Sequence, residues 1–154
     1  MDWFCKRFEE LTVDELYEIL RLRTNVFVVE QTCPYPELDG KDKRSVFLFA
    51  REGEPVIAGM RLYWKTDESG VMHMGRVVTA RRGVGLGAEL LRRGIALAFD
   101  GLGAEEIYIE AQEYAAYFYA REGFAVCSEP FLEDGISHVQ MRLRREDRKE
   151  KKRK

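Results

Sequence analysis

The chain has 154 residues, 45% of them hydrophobic, with 25 basic against 27 acidic side chains and a formal net charge of -2. That length suits one domain, which buries roughly 68–70% of its unfolded surface and needs no metal or disulfide staple. The charge balance argues against a general nucleic-acid binder, and no apolar run approaches the ~20 residues of a membrane span.

The first ten residues, MDWFCKRFEE, are interrupted by charge and lack the apolar core of a secretory signal. Asp2–Phe8 alternates and predicts a first strand. Thr12-Val13-Asp14-Glu15 has the form of a capping box, and Leu16, Ile19, Leu20 and Arg23 follow at helical spacing, so a helix is expected to about Val28. Residues 31–45, with Pro34, Pro36, Gly40 and several acids, predict a loop of ~15 residues, long enough to carry function. Val46–Arg51 and Pro55–Lys65 read as strands joined by a hairpin at Glu52-Gly53-Glu54. A turn at Thr66–Gly70 leads into a third run, Val71–Ala80.

Residues 81–87 (RRGVGLG) open a helix with Leu86, Leu90, Leu91, Ile95 and Ala98 on its apolar positions, ended by Gly101 and Gly103. Glu106–Ala111 predicts a strand and Tyr114–Glu122 a short helix closed by Gly123. Phe124–Cys127 and Ser137–Arg144 predict final strands around a turn at Glu133-Asp134-Gly135. Antiparallel strands followed by alternating helices and strands give an α+β fold, a mixed central sheet flanked by helices. Residues 144–154 carry eight basic and three acidic side chains, a net of +5, and read as a frayed, solvated basic tail after a single domain at 1–143. Cys5, Cys33 and Cys127 are odd in number and widely spaced. They fit free thiols in a reducing cytoplasm rather than a metal site or a disulfide framework.

The glycine loop carries the first chemical signal. A strand, then glycines, then a helix makes an anion site, because the first helical amides lack partners and the helix dipole favours negative charge. A Walker loop is excluded, since no Gly-Lys-Ser/Thr follows Gly83 or Gly85. A dinucleotide reading has Gly83, Gly85 and Ala88 in G-x-G-x-x-G/A spacing and Glu110 at the end of the next strand. Against it, Arg81 and Arg82 separate the strand from the first glycine, and too little chain follows for a second half-sheet. The third reading is the pyrophosphate arm of coenzyme A, because Arg82-Gly83-Val84-Gly85-Leu86-Gly87 fits Arg/Gln-x-x-Gly-x-Gly/Ala.

That segment resembles motif A of the GNAT superfamily of N-acetyltransferases, and Tyr119-Ala120-Arg121-Glu122-Gly123-Phe124 has the superfamily's Y-x-x-x-G-F spacing. Over nearly all of residues 3–143 the chain is similar to the ElaA family. The matches include Val26-Phe27-Val28-Val29-Glu30-Gln31, Cys33-Pro34-Tyr35, Asp39-Gly40, Gly75-Arg76-Val77, Ala111-Gln112 and Glu133-Asp134-Gly135-Ile136 with His138. Two departures stand out. The Val78–Arg82 connection is about two residues short, and Ser137 replaces a common proline.

The resemblance implies direct transfer of an acetyl group from acetyl-CoA, as cosubstrate, to a primary amine of a small molecule or peptide. Val77, Val78 and Thr79, with Arg82, Gly83, Val84, Gly85, Leu86 and Gly87, are the expected cofactor-binding residues. Tyr119 is the candidate general acid, since a phenol of unperturbed pKa ~10 stays protonated at pH 7. Glu30, Glu110 and His73 are candidate bases, with Glu30 ahead and His73 the weakest. Arg23, Glu37, Asp39 and Asp42 are candidate substrate-binding residues, the acids attracting a cationic amine while Arg23 and Arg61 hold them by charge-assisted pairs. The same segment is similar in order to the acidic acceptor segment of acyl-homoserine-lactone synthases, which gives a second enzymatic reading. A non-catalytic acyl-CoA-binding module is the third. A homodimer is compatible with the family.

Overall fold

The computed structural model describes residues 1–32 and 36–149; Cys33 and residues 150–154 of the basic tail lie outside the described residues. The strands are β1 (Asp2–Arg7), β2 (Val46–Arg51), β3 (Val56–Trp64), β4 (Val71–Thr79), β5 (Glu106–Gln112), β6 (Ala125–Val126), β7 (Phe131–Glu133) and β8 (Ile136–Arg144). The α-helices are α1 (Val13–Arg23), α2 (Leu86–Ala96) and α3 (Ala116–Ala120). Together they form the expected mixed α+β architecture. The chain resolves into two compact units, Met1–Tyr63 with Met74–Gly94, and Trp64–His73 with Ile95–Lys154, so the boundary falls within β4, after His73.

In the first unit β1 and β3 flank β2 in antiparallel register, with Cys5 opposite Leu48 and Leu48 opposite Met60. Alternation puts Phe47 and Phe49 on one face of β2, where they pack with Ile19 and Leu22 of α1, Val56 and Val78. Each such side chain, once fully buried, contributes about 1.5–3 kcal/mol. On α2, a Cβ at Gly94 would stand 2.5 Å from the Met60 sulfur, so glycine is what allows the helix to approach the sheet this closely.

The capping box forms as the sequence predicts. The Glu15 amide donates to Thr12 Oγ1 at 3.0 Å, and the Thr12 amide donates to Glu15 Oε1 at 2.9 Å. The α-helix stops earlier than expected, at Arg23, and Thr24–Glu30 continues as a π-helix, with the Gln31 amide donating to the Val26 carbonyl at 3.2 Å. Apolar spacing does not separate the two helix types, whose difference lies in the i→i+5 hydrogen bond. The described part of the 31–45 loop includes a 3₁₀ turn, Lys41–Arg44, entered through Gly40.

In the second unit β5 runs parallel to β4, pairing Val71 with Glu106 through His73 with Tyr108. Along its whole length β5 also pairs antiparallel with β8, from Glu106 opposite Arg144 to Gln112 opposite His138. The strands β6 and β7 both pair with β8. Strand β7 was not expected, since three residues are too few to display alternation. Its hairpin turns through Asp134 and Gly135 at φ +52° and +80°, the two left-handed residues of a type I′ turn. The helix predicted over Tyr114–Glu122 divides into a 3₁₀ turn, Glu113–Ala115, and α3.

The described part of the basic tail is docked, which corrects the expectation of a frayed end. Arg145 donates to the carbonyls of Phe99 at 3.0 Å and Ala104 at 2.6 Å, and Arg148 forks onto Asp100 at 2.8 and 3.1 Å. Phe99 lies in the π-helix Leu97–Gly101 that follows α2, whose last carbonyls lack intrahelical donors, and Arg145 satisfies one of them with a charge that complements the helix dipole. Among the described residues no helix is long and apolar enough to cross a membrane.

Candidate active site

Beyond β4 the chain passes Ala80, whose amide donates to the Ile57 carbonyl at 2.7 Å, and enters the glycine loop. Gly83 and Gly85 both lie in the left-handed region, at φ +78° and +77°, and a Cβ at either would meet no heavy atom within 4 Å. Leu86 is buried and anchors the first turn of α2, whereas residues 81–85 are exposed. The first intrahelical bond of that turn runs from the Glu89 amide to the Gly85 carbonyl at 3.1 Å, so the preceding amides lie in the helix-start position that has no intrahelical partner. The loop is therefore an exposed set of donors at a helix N-terminus, with open space where side chains would otherwise stand. Those features fit a diphosphate.

Two predicted residues meet beside this loop. Arg82 donates to Glu30 at 2.7 Å, both side chains being exposed. Arg81 pairs with Glu52. Of the strand residues, Val78 is buried against the α1 core, and Thr79 Oγ1 donates to the Arg81 carbonyl at 3.0 Å.

The four predicted substrate-binding residues come together. Buried Arg23 donates to Glu37 through Nε and to Asp42 through Nη1 at 2.8 Å. Buried Arg61 bridges Asp42 at 3.1 Å and Asp39 at 2.7 and 2.9 Å. Arg76 closes the set, bonding Glu37 at 3.2 Å and its carbonyl at 3.0 Å. Three guanidinium groups thus face three carboxylates, and the cluster carries no formal net charge. Burial works against ionisation of Asp39, but hydrogen bonds from Arg61 and the Lys41 amide, with the charges of Arg61 and Arg76, outweigh it. They hold that carboxyl far below the usual carboxylate range.

Sequence reasoning had Arg76 only as a point of resemblance and gave it no role in the site. It sits inside β4 at φ +50°, a backbone state rare for a residue with a side chain, and nothing in its neighbours announces that. With Arg23 and Arg61 it lines a mostly apolar recess that includes Ile19, Leu22, Phe47 and Val78. Arg61 Nε is buried there without a hydrogen-bond partner among the described residues, a donor that ordinarily finds an oxygen.

The second unit holds Glu110 and Tyr119. Glu110 lies on β5 just past Tyr108, the last residue paired with β4, and accepts a 2.7 Å hydrogen bond from the Tyr108 hydroxyl. Burial first, then that bond and the Glu110 charge, push the Tyr108 phenol well above its ordinary value. Tyr119, on α3, stands edge-on to Phe118 and Phe124 at 5.0 and 5.8 Å between ring centres, and burial pushes its phenol up as well. His73 stands edge-on to Tyr108 at 5.0 Å, a packing contact. Two groups in this unit had entered only as points of resemblance. Burial and the charge of Glu110 push the Glu133 carboxyl up, and buried His138 holds the Ile136 carbonyl at 2.7 Å through Nδ1. Their separation in sequence from Glu110 hides the association. Among the described residues no group of His, Cys, Asp and Glu is arranged to hold a metal ion.

Comparison with known proteins places these features in a family. The Acetyltransferase (GNAT) domain family matches residues 19–145. A UPF0039 protein of Schizosaccharomyces pombe is 38% identical over 147 residues, covering 93% of this chain and 97% of the relative. The crystal structure of an acyl-CoA N-acyltransferase from Pseudomonas aeruginosa superposes with a TM-score of 0.86 at 39% identity, covering 93% of this chain and 99% of that one. Crystalline ElaA of Escherichia coli also gives a TM-score of 0.86, at 31% identity over 92% of this chain and 98% of its own. The chain is an acyltransferase that belongs to the GNAT family, among the ElaA-like proteins.

Proposed function

We propose that this enzyme transfers an acetyl group from acetyl-CoA directly to a primary amine of a small molecule or peptide. The observation that carries the reading is the glycine loop, where two left-handed glycines leave the amides at the start of α2 exposed beside Arg82. Bound there, acyl-CoA supplies an activated thioester carbonyl. Gly83–Gly87 would hold its diphosphate through main-chain N–H groups, and Arg82 would add charge beside it while holding Glu30. Main-chain amides of Val77–Thr79 would polarise the carbonyl, and removing such a donor typically costs ~2.7–4 kcal/mol of barrier.

Tyr119 keeps its proton, because burial raises its pKa, and donates it to the departing thiolate. The proton lost by the amine goes to Glu110 rather than to Glu30, whose carboxylate is already engaged by Arg82. Since the three acids of the first unit are matched by three arginines, they shape the acceptor region rather than attract a cation by excess charge.

Thiol release from acetyl-CoA over a panel of amines and peptides tests the reaction, and calorimetry with acetyl-CoA tests the loop. Gly85→Trp should weaken acetyl-CoA binding by about tenfold or more, equivalent to ~1.4 kcal/mol. Tyr119→Phe should lower turnover with binding unchanged. Undiminished binding by Gly85→Trp removes the loop from recognition. Binding by the wild type without thiol release from any acceptor makes the chain a non-catalytic acyl-CoA-binding module.

A further inference from the structure

Tyr108 and Glu110 stand two residues apart on β5, so their side chains leave the same face of the sheet. Strand register extends that face sideways. His73 of β4 is opposite Tyr108 on one side, and Arg142 of β8 is opposite it on the other. Tyr108 is only 3% exposed, and both neighbours lie against its ring. His73 stands edge-on at 5.0 Å between ring centres, and the Arg142 guanidinium lies 4.8 Å from the Tyr108 ring centre. Lys65, just beyond β3, brings its Nζ to 4.1 Å from the same centre.

Both cations are themselves anchored. Arg142 donates to Glu106 at 2.6 Å and to Glu68 at 2.8 and 3.1 Å, and Lys65 lies 3.6 Å from Glu68. A ring gripped by two cations and an imidazole edge has little room to swing, and cation–ring attraction grows where water is excluded. The hydroxyl at its far end is therefore delivered to one place. It donates to Glu110 Oε2 at 2.7 Å, within the range of an O–H donor on a carboxylate. The other titratable groups acting on this row are Glu133 of β7, His138 of β8 and Cys127 after β6, while Gln140, opposite Glu110, is uncharged. Glu113, next after β5, accepts from the Ser137 hydroxyl at 2.7 Å.

We infer that Tyr108 is a positioning residue of the proposed transfer, its clamped hydroxyl aiming the Glu110 carboxylate and favouring the ionised form that accepts the amine proton. This deepens the reading of Glu110 as the base and rests on it. A hydroxyl held as a donor serves an ionised oxygen better than a protonated one. Burial, then the bond and charge of Glu110, push the Tyr108 phenol up, so it stays a donor across the neutral range. In the step itself one N–H bond of the acceptor ammonium breaks and its proton goes to Glu110. The freed lone pair bonds the thioester carbon as the carbon–sulfur bond breaks. A second nitrogen proton replaces the one that Tyr119 gives the thiolate, and Glu110 returns its own to solvent. Tyr108 keeps its proton throughout.

The direct test is carbon-13 titration of the glutamate carboxyls in the free protein, with Glu110→Gln identifying the Glu110 signal by its loss. Tyr108→Phe keeps the ring between its cations and removes only the hydroxyl. It should raise the Glu110 midpoint by about one pH unit. 3-Fluorotyrosine in place of Tyr108, a more acidic phenol and a stronger donor, should move that midpoint down. With a single amine, Tyr108→Phe should lower kcat about tenfold at neutral pH and shift the acidic limb of kcat/KM upward. Acetyl-CoA affinity by calorimetry should not change. Circular dichroism checks the fold of Tyr108→Phe, and the fluorinated side chain, one atom different, carries the titration if that variant does not fold. A Glu110 midpoint that neither change moves overturns the positioning role. So does Tyr108→Phe at the wild-type kcat and pH limb while Glu110→Gln is impaired. Full turnover by Glu110→Gln instead overturns Glu110 as the base, and the role of Tyr108 with it. Failure of the wild type to release thiol with any amine overturns the transfer reading as a whole.

Discussion

The two units handle acidic side chains in opposite ways. In the first, Glu37, Asp39 and Asp42 lie among Arg23, Arg61 and Arg76, so every carboxylate of the set is paired with a guanidinium. In the second, Glu110 accepts from the Tyr108 hydroxyl, and burial with the charge of Glu110 pushes the Glu133 carboxyl up. The contrast shows how one residue type serves two purposes. A fixed cation makes a carboxylate a strut whose charge is permanent, whereas a second carboxylate makes it a group whose charge changes with pH.

The largest effect that would break this comparison is expected at Arg61. Arg61→Met leaves Asp39 and Asp42 short of a partner in a buried setting, and uncompensated charge there costs about 3–5 kcal/mol. Urea denaturation should show that loss; an unchanged midpoint would mean that the remaining arginines and water suffice. Next comes Tyr119→Phe, for which general-acid loss predicts a fall in turnover of about 10²-fold or more. Single-turnover kinetics isolates the chemical step, and an undiminished rate would assign Tyr119 to packing alone.

Acidity sharpens the contrast with opposite signs. The Asp39 pKa is lower in the folded chain than the ~3.9 of an unfolded aspartate. Its stabilisation is therefore present above about pH 4 and is lost as pH falls toward the folded value. Glu133 has a folded pKa above the unfolded ~4.3, so its contribution is full below that value and is lost as pH rises through the folded one. Denaturation midpoints measured from pH 3 to 8, as a convenient range of roughly this span, should show the Asp39→Asn deficit shrinking on acidification. The Glu110→Gln difference should change on the alkaline side of about pH 4.3 instead. Identical slopes for the two variants would erase the distinction between the units.

The smallest effect concerns the start of α1. Thr12→Ala removes one half of the capping box and should cost about 0.5–2 kcal/mol. That loss is a local control, since Thr12 belongs to neither acidic set, and catalysis should be unaffected.

Much of the site was legible because its signals are local. The Thr12–Glu15 box, the glycines at 83 and 85 and the helix beginning at Leu86 each depend on residues within one turn of one another. The Asp134-Gly135 turn was read correctly, but the three-residue strand before it was not, and so Glu133 had a place in the sequence without a neighbour. The tail was misread because its excess of basic residues says nothing about which carbonyls wait for a donor. Arg145 and Arg148 find theirs at Phe99, Ala104 and Asp100, more than forty positions earlier.

Chain order alone specified the alternation of strands and helices, the caps, and a backbone able to bring bare amides to an anion, because those properties are set by short-range sterics and hydrogen bonding. It also supplied the arginines and acids, though not their pairing. Which carboxylate meets which guanidinium depends on strand register and loop path across tens of residues. Protonation follows from that meeting, since the energy of a charge is fixed by its surroundings in space and not by its neighbours along the chain.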